Sequence, residues 1–237
     1  MATKFSDTTD GARAARKQAR RTSQLIYLVL GVFALGVIPA PAEGLALDPQ
    51  ARKTDAGASA AVKKSVKVNT TPFKAFLSRS KKLKDDGKLD LSKPRALTVE
   101  ADRNEDGTVS NAVITGESAA DTNFRKVALD FVAALNESRA LHFLDGVSRV
   151  RLDFALDGER FKMLSHSDAP TEARAVEMAR GYRSMVNLAR LFKRGGDDEA
   201  VVLNNMKISA SGKQLVMSLD TTREAMGNIL LKQITPN

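Results

Sequence analysis

The sequence predicts an α+β fold in which antiparallel β-hairpins are each followed by a helix. This ββα pattern is repeated three times, after one N-terminal transmembrane or signal helix. Three observations predict it. Apolar residues alternate at period two in Leu97/Val99/Ala101, in Val150/Leu152/Phe154 and in Met206/Ile208/Ala210, as half-buried strands require. A turn dipeptide follows each run: Asp106-Gly107, Asp157-Gly158 and Ser211-Gly212. After each return strand the apolar spacing changes to three and four residues, the helical period.

The N-terminal segments come first. Residues 1–21 form a basic tail carrying Arg13, Arg16, Lys17, Arg20 and Arg21. Residues 22–42 (TSQLIYLVLGVFALGVIPAPA) hold no charge. Their apolar centre contains Leu25, Ile26, Leu28, Val29, Leu30, Val32, Phe33, Leu35, Val37 and Ile38. Basic residues before this segment and Glu43 and Asp48 after it orient the N-terminus toward the cytoplasm. Two readings stay open. One is a single membrane span, which needs roughly 17–25 residues. The other is a signal peptide cleaved after Ala40-Pro41-Ala42. Both place the remainder outside the cytoplasmic membrane, which for a bacterial inner-membrane protein is the periplasm. Residues 43–70 show no sustained apolar period and read as a flexible linker.

Charge follows the same division. Residues 1–94 carry 18 Lys/Arg against 8 Asp/Glu, and residues 95–237 carry 19 against 20. A nucleic-acid-binding domain carries its positive charge on the folded part. Here the excess flanks an apolar segment, so the expected neighbour is a membrane and no nucleic acid is implied. There is no cysteine, which excludes disulfides and thiolate metal sites.

Residues 71–94 read as a basic amphipathic helix and connector. Thr71 is placed to cap it and Pro72 to occupy its first turn. Phe73, Phe76, Leu77 and Leu83 share one face, and Lys74, Arg79, Lys81, Lys82 and Lys84 cover the rest. The apolar face packs on the domain or lies on anionic lipid. The α+β domain then spans 95–237. In its first unit the second strand carries Val109, Val113 and Ile114, and a helix capped by Asp121 carries Phe124, Val127, Ala128, Phe131 and Leu135. The second unit returns through Phe161 and Met163 to a helix started by Pro170 and Thr171, ending at Gly195-Gly196 before an acidic turn. The third returns through Leu215, Met217 and Leu219 to a helix capped by Thr221 or Thr222. Spacing leaves open whether the units form one sheet or two subdomains.

With these elements in place, residues 95–155 resemble the carboxyl-terminal domain of TonB-type energy transducers, as a divergent member. The matching pieces are Asp106-Gly107-Thr108-Val109, Ile114-Thr115-Gly116-Glu117-Ser118 and the helix from Phe124 to Leu135. The layout of basic tail, single apolar segment, tether and small outer domain is similar too. The apolar segment has no His, and residues 43–70 hold a single proline, Pro49, where that family has a long Pro-rich spacer. The resemblance therefore implies the fold and a protein-binding role, with membrane or periplasmic proteins as partners, rather than energy coupling. An accessory single-span subunit of a larger membrane complex, or a secreted ligand-binding protein, are the alternatives.

No catalytic motif stands out, and an enzyme is not expected. His142 and His166 are the two histidines, far apart and outside any metalloprotease spacing. No phosphate-binding or dinucleotide motif occurs, so no cofactor is implied. "ADRNEDGTVSN" places Asp102, Asn104 and Asp106 at the alternate positions of a calcium loop. Val113 stands where the bidentate Glu belongs, so these three residues are a weak calcium candidate and the stretch reads first as a hairpin turn. Met163, Met178, Met185, Met206, Met217 and Met226 read as core filler.

Overall fold

The structure, a computed structural model, describes residues 69–192 and 198–235. The expectations for the basic tail, the apolar segment 22–42 and nearly all of the linker lie outside the described residues. The elements are α1 (Thr71–Asp85), β1 (Arg95–Arg103), β2 (Val109–Thr115), α2 (Thr122–Ser138), β3 (Arg149–Leu156), β4 (Arg160–Asp168), α3 (Glu172–Phe192), α4 (Asp198–Asn205), β5 (Met206–Ser211), β6 (Gln214–Thr222) and α5 (Arg223–Ile234). Short 3₁₀ turns at Glu117–Ala120 and Ala140–Phe143 flank α2.

The class is α+β, as expected, but three equivalent ββα units are not formed. The hairpins join edge to edge in a single six-stranded antiparallel sheet of order β2-β1-β3-β4-β6-β5. The second interval holds two helices, because Asp198–Asn205 forms α4 where only an acidic turn after Gly195-Gly196 was expected. The pairing registers Val99↔Leu152, Leu152↔Ser165, Ser165↔Met217 and Ile208↔Met217 place these side chains on one face. That face and the helices form one apolar core containing Val99, Leu135, Leu152, Val186, Leu203, Leu215, Met217 and Ile229. The other face, with Glu100, Arg151, Asp153, His166 and Lys207, carries no helix among the described residues. One wet side and one buried side follow from the alternation in sequence.

Two crossovers shape the layout. The chain passes from β2 over β1 to β3 through α2, and from β4 over β6 to β5 through α3 and α4. β2 runs parallel to β3, and β4 parallel to β5, with opposite polarity between the pairs. Both connections move the same way across the sheet on the same face, so they have opposite hands. One of them departs from the usual right-handed rule.

Local chemistry explains the boundaries. Asp121 caps α2, its Oδ1 accepting from Asn123 N at 2.9 Å and Phe124 N at 3.2 Å. Thr222 caps α5, its Oγ1 accepting from Ala225 N at 3.2 Å. At α1 the expected cap moves back: Thr71 is the first helical residue, and its N–H donates to Asn69 Oδ1 at 3.1 Å. The α1 apolar face packs on the domain, with Phe73 buried and Phe76 against Phe131. Its basic face points outward, where Arg79 reaches Asp130 at 3.2 Å and Lys81 pairs with Asp85. Such exposed pairs contribute little to stability.

Arg190 fixes the second crossover. Its guanidinium donates to Leu203 O at 2.8 and 3.0 Å, to Met206 O at 2.8 Å and to Asn187 Oδ1 at 3.0 Å. It satisfies the Leu203 carbonyl, which the end of α4 leaves without a helical partner, and the Met206 carbonyl at the start of β5. Replacement by methionine keeps the aliphatic bulk and removes these charged hydrogen bonds. We expect Arg190→Met to lower stability by about 1.5–2 kcal/mol, read by urea denaturation, with the lost protection against hydrogen exchange confined to α4 and β5.

Candidate functional site: an apolar pocket under the helix layer

Between the helices and the inner face of the sheet lies a pocket of about 310 Å³. Four sets of residues make it. From α1 come Phe73, Phe76 and Leu77, and from α2 come Phe124, Val127, Ala128 and Phe131. The sheet contributes Leu97, Val99, Phe154, Leu156, Phe161, Met163 and Leu219. Val202 of α4 and Met226, Leu230 and Gln233 of α5 close the remaining side. Their positions follow from the two periods: the strand residues are alternate inward positions, and the helix residues recur at three and four.

Six of the ten phenylalanines in the chain therefore converge on one cavity. Phe131 is their centre, with ring centroids 6.1 Å from Phe73, 5.7 Å from Phe76 and 5.7 Å from Phe154, in edge-on or tilted pairs. Phe76, Phe124, Phe131, Phe154 and Phe161 are only half-buried although all sit on core-facing positions. A close-packed interior leaves few voids larger than a water, so partly exposed aromatic side chains around a common cavity mark a candidate ligand site. A volume near 300 Å³ is at the lower end for small-molecule pockets.

Two polar side chains line it, Arg95 and Gln233. Arg95 opens β1 and, through the registers Arg95↔Leu156 and Leu156↔Phe161, stands at one end of the sheet beside the pocket's rim. Its Nε donates to Asp90 O at 3.1 Å, and one Nη reaches Asp121 Oδ2 at 3.3 Å. Its guanidinium carbon sits 4.2 Å from the centre of the Phe124 ring, a cation–π placement.

A second, open cleft of about 280 Å³ lies beside α3 and β5, among Arg183, Asn187, Arg190, Asn204 and Lys207. Its central cation, Arg190, is spent on the carbonyl contacts described above. The sheet face opposite the helices carries an ionic lattice: Arg151 reaches Glu100 at 3.1 Å and Asp153 at 3.0 Å, and Arg149 reaches Glu100 at 3.6 Å. Burial alone raises the Asp153 pKa, but hydrogen bonds from Arg151 and Thr98 outweigh it and leave the carboxyl below its ordinary value. His166 Nδ1 lies 3.3 Å from Gln214 Oε1 on this face.

The residues singled out in the sequence fall elsewhere. Asp102, Asn104 and Asp106 stand at the β1–β2 hairpin, where their side chains serve the turn. Asp106 Oδ1 accepts from Thr108 N at 3.0 Å and Thr108 Oγ1 at 2.7 Å, Asp102 accepts from Asn111 at 2.8 Å, and Asn104 contacts Thr108 and Ser110. Among the described residues, no three His, Cys, Asp or Glu side chains are grouped to hold a metal ion. His142 belongs to the 3₁₀ turn packed against Gly107. Met163, Met178, Met206, Met217 and Met226 are buried in the core. The pocket was not read from the sequence. Its signal is the placement of phenylalanines at inward positions on two helices and two strands. Among the described residues no helix is long and apolar enough to cross a membrane.

Compared with family models, with curated proteins and with solved structures, the chain gives no match in any of the three.

Proposed function

We propose that this chain is a non-catalytic binding module, held outside the cytoplasmic membrane by its N-terminal apolar segment, with the apolar pocket as its ligand site. The observation that supports this reading most is the ring of half-buried phenylalanines around a pocket of about 310 Å³. Filling it removes apolar surface from water at roughly 25 cal/mol per Å². A rigid sheet floor and helix walls supply a preformed cavity, so little ordering opposes binding.

Contact with a protein partner, which the TonB resemblance implies, is the second reading. Its support is the outer edge of β5. The other edge, β2, is interrupted by a register shift opposite Glu100–Asp102, with Asn111 at φ 51°. Such a bulge discourages strand addition. β5 has no bulge in its register with β6, and an extended peptide can add there.

Ligand occupancy has a thermodynamic signature. A ligand present at a hundred times its Kd stabilises the fold by about 2.7 kcal/mol. We expect dodecanol to raise the melting temperature of the full chain by several degrees, and Ala128→Trp, which places an indole in the pocket, to abolish the rise. A melting temperature indifferent to dodecanol in the wild-type chain would count against the pocket as a ligand site. Carbonate extraction tests the tether: the full chain should stay with the membrane, and deletion of 22–42 should release it.

A further inference from the structure

We propose that the ligand is a free fatty acid, one unbranched alkyl chain ending in a carboxylate, with the chain in the phenylalanine-lined pocket and the carboxylate held by Arg95 at the rim. This inference rests on the pocket being a ligand site. Three features narrow the ligand beyond "apolar".

The first is size. About 310 Å³ is near the lower limit for small-molecule sites. It suits one alkyl chain and is too small for a two-chain lipid.

The second is the distribution of polarity. Apart from Gln233, whose amide already donates to Ile229 O at 3.5 Å, the lining is hydrocarbon until Arg95. A ligand matching it is apolar along its length and polar at one end. An alkyl chain with a single terminal head group has that pattern, whereas a peptide would bring backbone polar groups that the walls cannot satisfy.

The third is the cation itself. The Arg95 side chain is 17% exposed. Two of its N–H groups are engaged, one by Asp90 O and one by Asp121. A guanidinium has five N–H donors in a planar fork that matches a carboxylate, so donors remain for a ligand. The competing acid is already served: Asp121 Oδ1 caps α2 through Asn123 N and Phe124 N. Asp121 therefore keeps its partners at the helix N-terminus when Arg95 turns to the ligand. The guanidinium carbon, 4.2 Å from the centre of the Phe124 ring, stands beside the alkyl path. Lys93, near Arg95 in the chain, lies 4.0 Å from Asp90.

The chain has no cysteine, which allows a direct test. Val127, half-buried in the pocket wall, is replaced by cysteine in the full chain, held in a steroidal detergent that has no alkyl tail. The rate of alkylation by N-ethylmaleimide is measured against added ligand. Laurate is expected to protect Cys at this position at lower concentration than dodecanol, by about ten-fold, and dodecylamine to protect least. Along the series from octanoate to myristate, affinity is expected to rise about three- to four-fold per methylene and then level off when the pocket is full. Arg95→Gln is expected to bring the laurate-to-dodecanol affinity ratio down to about one. A cooperative melting transition of the variant shows that it is folded.

Equal protection by laurate and dodecanol, or an advantage that survives Arg95→Gln, overturns the carboxylate assignment and leaves the pocket reading standing. Tighter binding of dodecylamine overturns it in favour of Asp121 as the head-group partner. Protection by none of the three overturns both readings, as would occur if residues 22–42 of the chain itself filled the pocket.

Discussion

Phe131→Ala is expected to lower the stability of the domain by about 3 kcal/mol, toward the lower end of the 3–5 kcal/mol found for buried Phe-to-Ala changes. Phe131 is the one ring that touches α1 through Phe73 and Phe76 and the sheet through Phe154. Its removal deletes the transfer free energy of the ring and three aromatic pairs, each contributing about 0.5–1.5 kcal/mol. Half-burial reduces the first contribution, which is why the lower end of the range applies. The loss should not be uniform. These rings join α1 to α2 and the sheet, so hydrogen exchange should accelerate in α1 and α2 while β4 and β6 keep most of their protection. Phe131→Leu should recover more than half of the loss, because it refills most of the volume. A loss below about 1 kcal/mol for the alanine variant would show that the helix layer is held by something other than this cluster.

Gly107→Val is expected to cost as much or more, for a different reason. Gly107 stands at φ +83°, and a Cβ added there would lie 2.4 Å from the backbone N of His142 and 2.6 Å from its Cα. A β-branched side chain in that backbone region is strained by about 1–3 kcal/mol, before any clash is counted. The obstructing atoms are backbone, so no rotamer change relieves it. The 3₁₀ turn Ala140–Phe143 must move, and with it Leu141, buried in the core, and Phe143, whose carbonyl accepts from Tyr182 Oη at 2.9 Å. We expect a drop of at least 3 kcal/mol by chemical denaturation. The exposed Gly158, in the β3–β4 turn at the opposite end of the sheet and with nothing within 4 Å of an added Cβ, serves as the control: Gly158→Ala should change stability by less than about 1 kcal/mol.

Much of the fold was legible because its rules are local. The alternation of Val150/Leu152/Phe154 and the Asp157-Gly158 turn place β3 and β4 as a hairpin, and Asp121 and Thr222 cap the helices they were expected to cap. Three things were not local. The order of the strands depends on β1 meeting β3 and β4 meeting β6, pairings between hairpins that no spacing encodes. Helix α4 was missed because Gly195-Gly196 reads as a stop, and the short apolar run Ala200-Val201-Val202-Leu203 has no helical period of its own. The pocket required knowing that Phe73 and Phe161, 88 positions apart in sequence, face one space. The calcium pattern shows the opposite case. Asp102, Asn104 and Asp106 match a ligand spacing, yet hairpin geometry uses the same residues to hold the turn.

The central claim is that the cavity among α1, α2, α5 and the sheet is occupied in the cell by an apolar ligand. Native mass spectrometry of the full chain, purified from membranes in a steroidal detergent, tests it most directly. The predicted spectrum contains the chain with a single non-covalent adduct of one-chain lipid mass, lost on Ala128→Trp while the variant keeps a cooperative melting transition. Bare protein mass in both samples, with no adduct even after incubation with dodecanol or laurate, would contradict it.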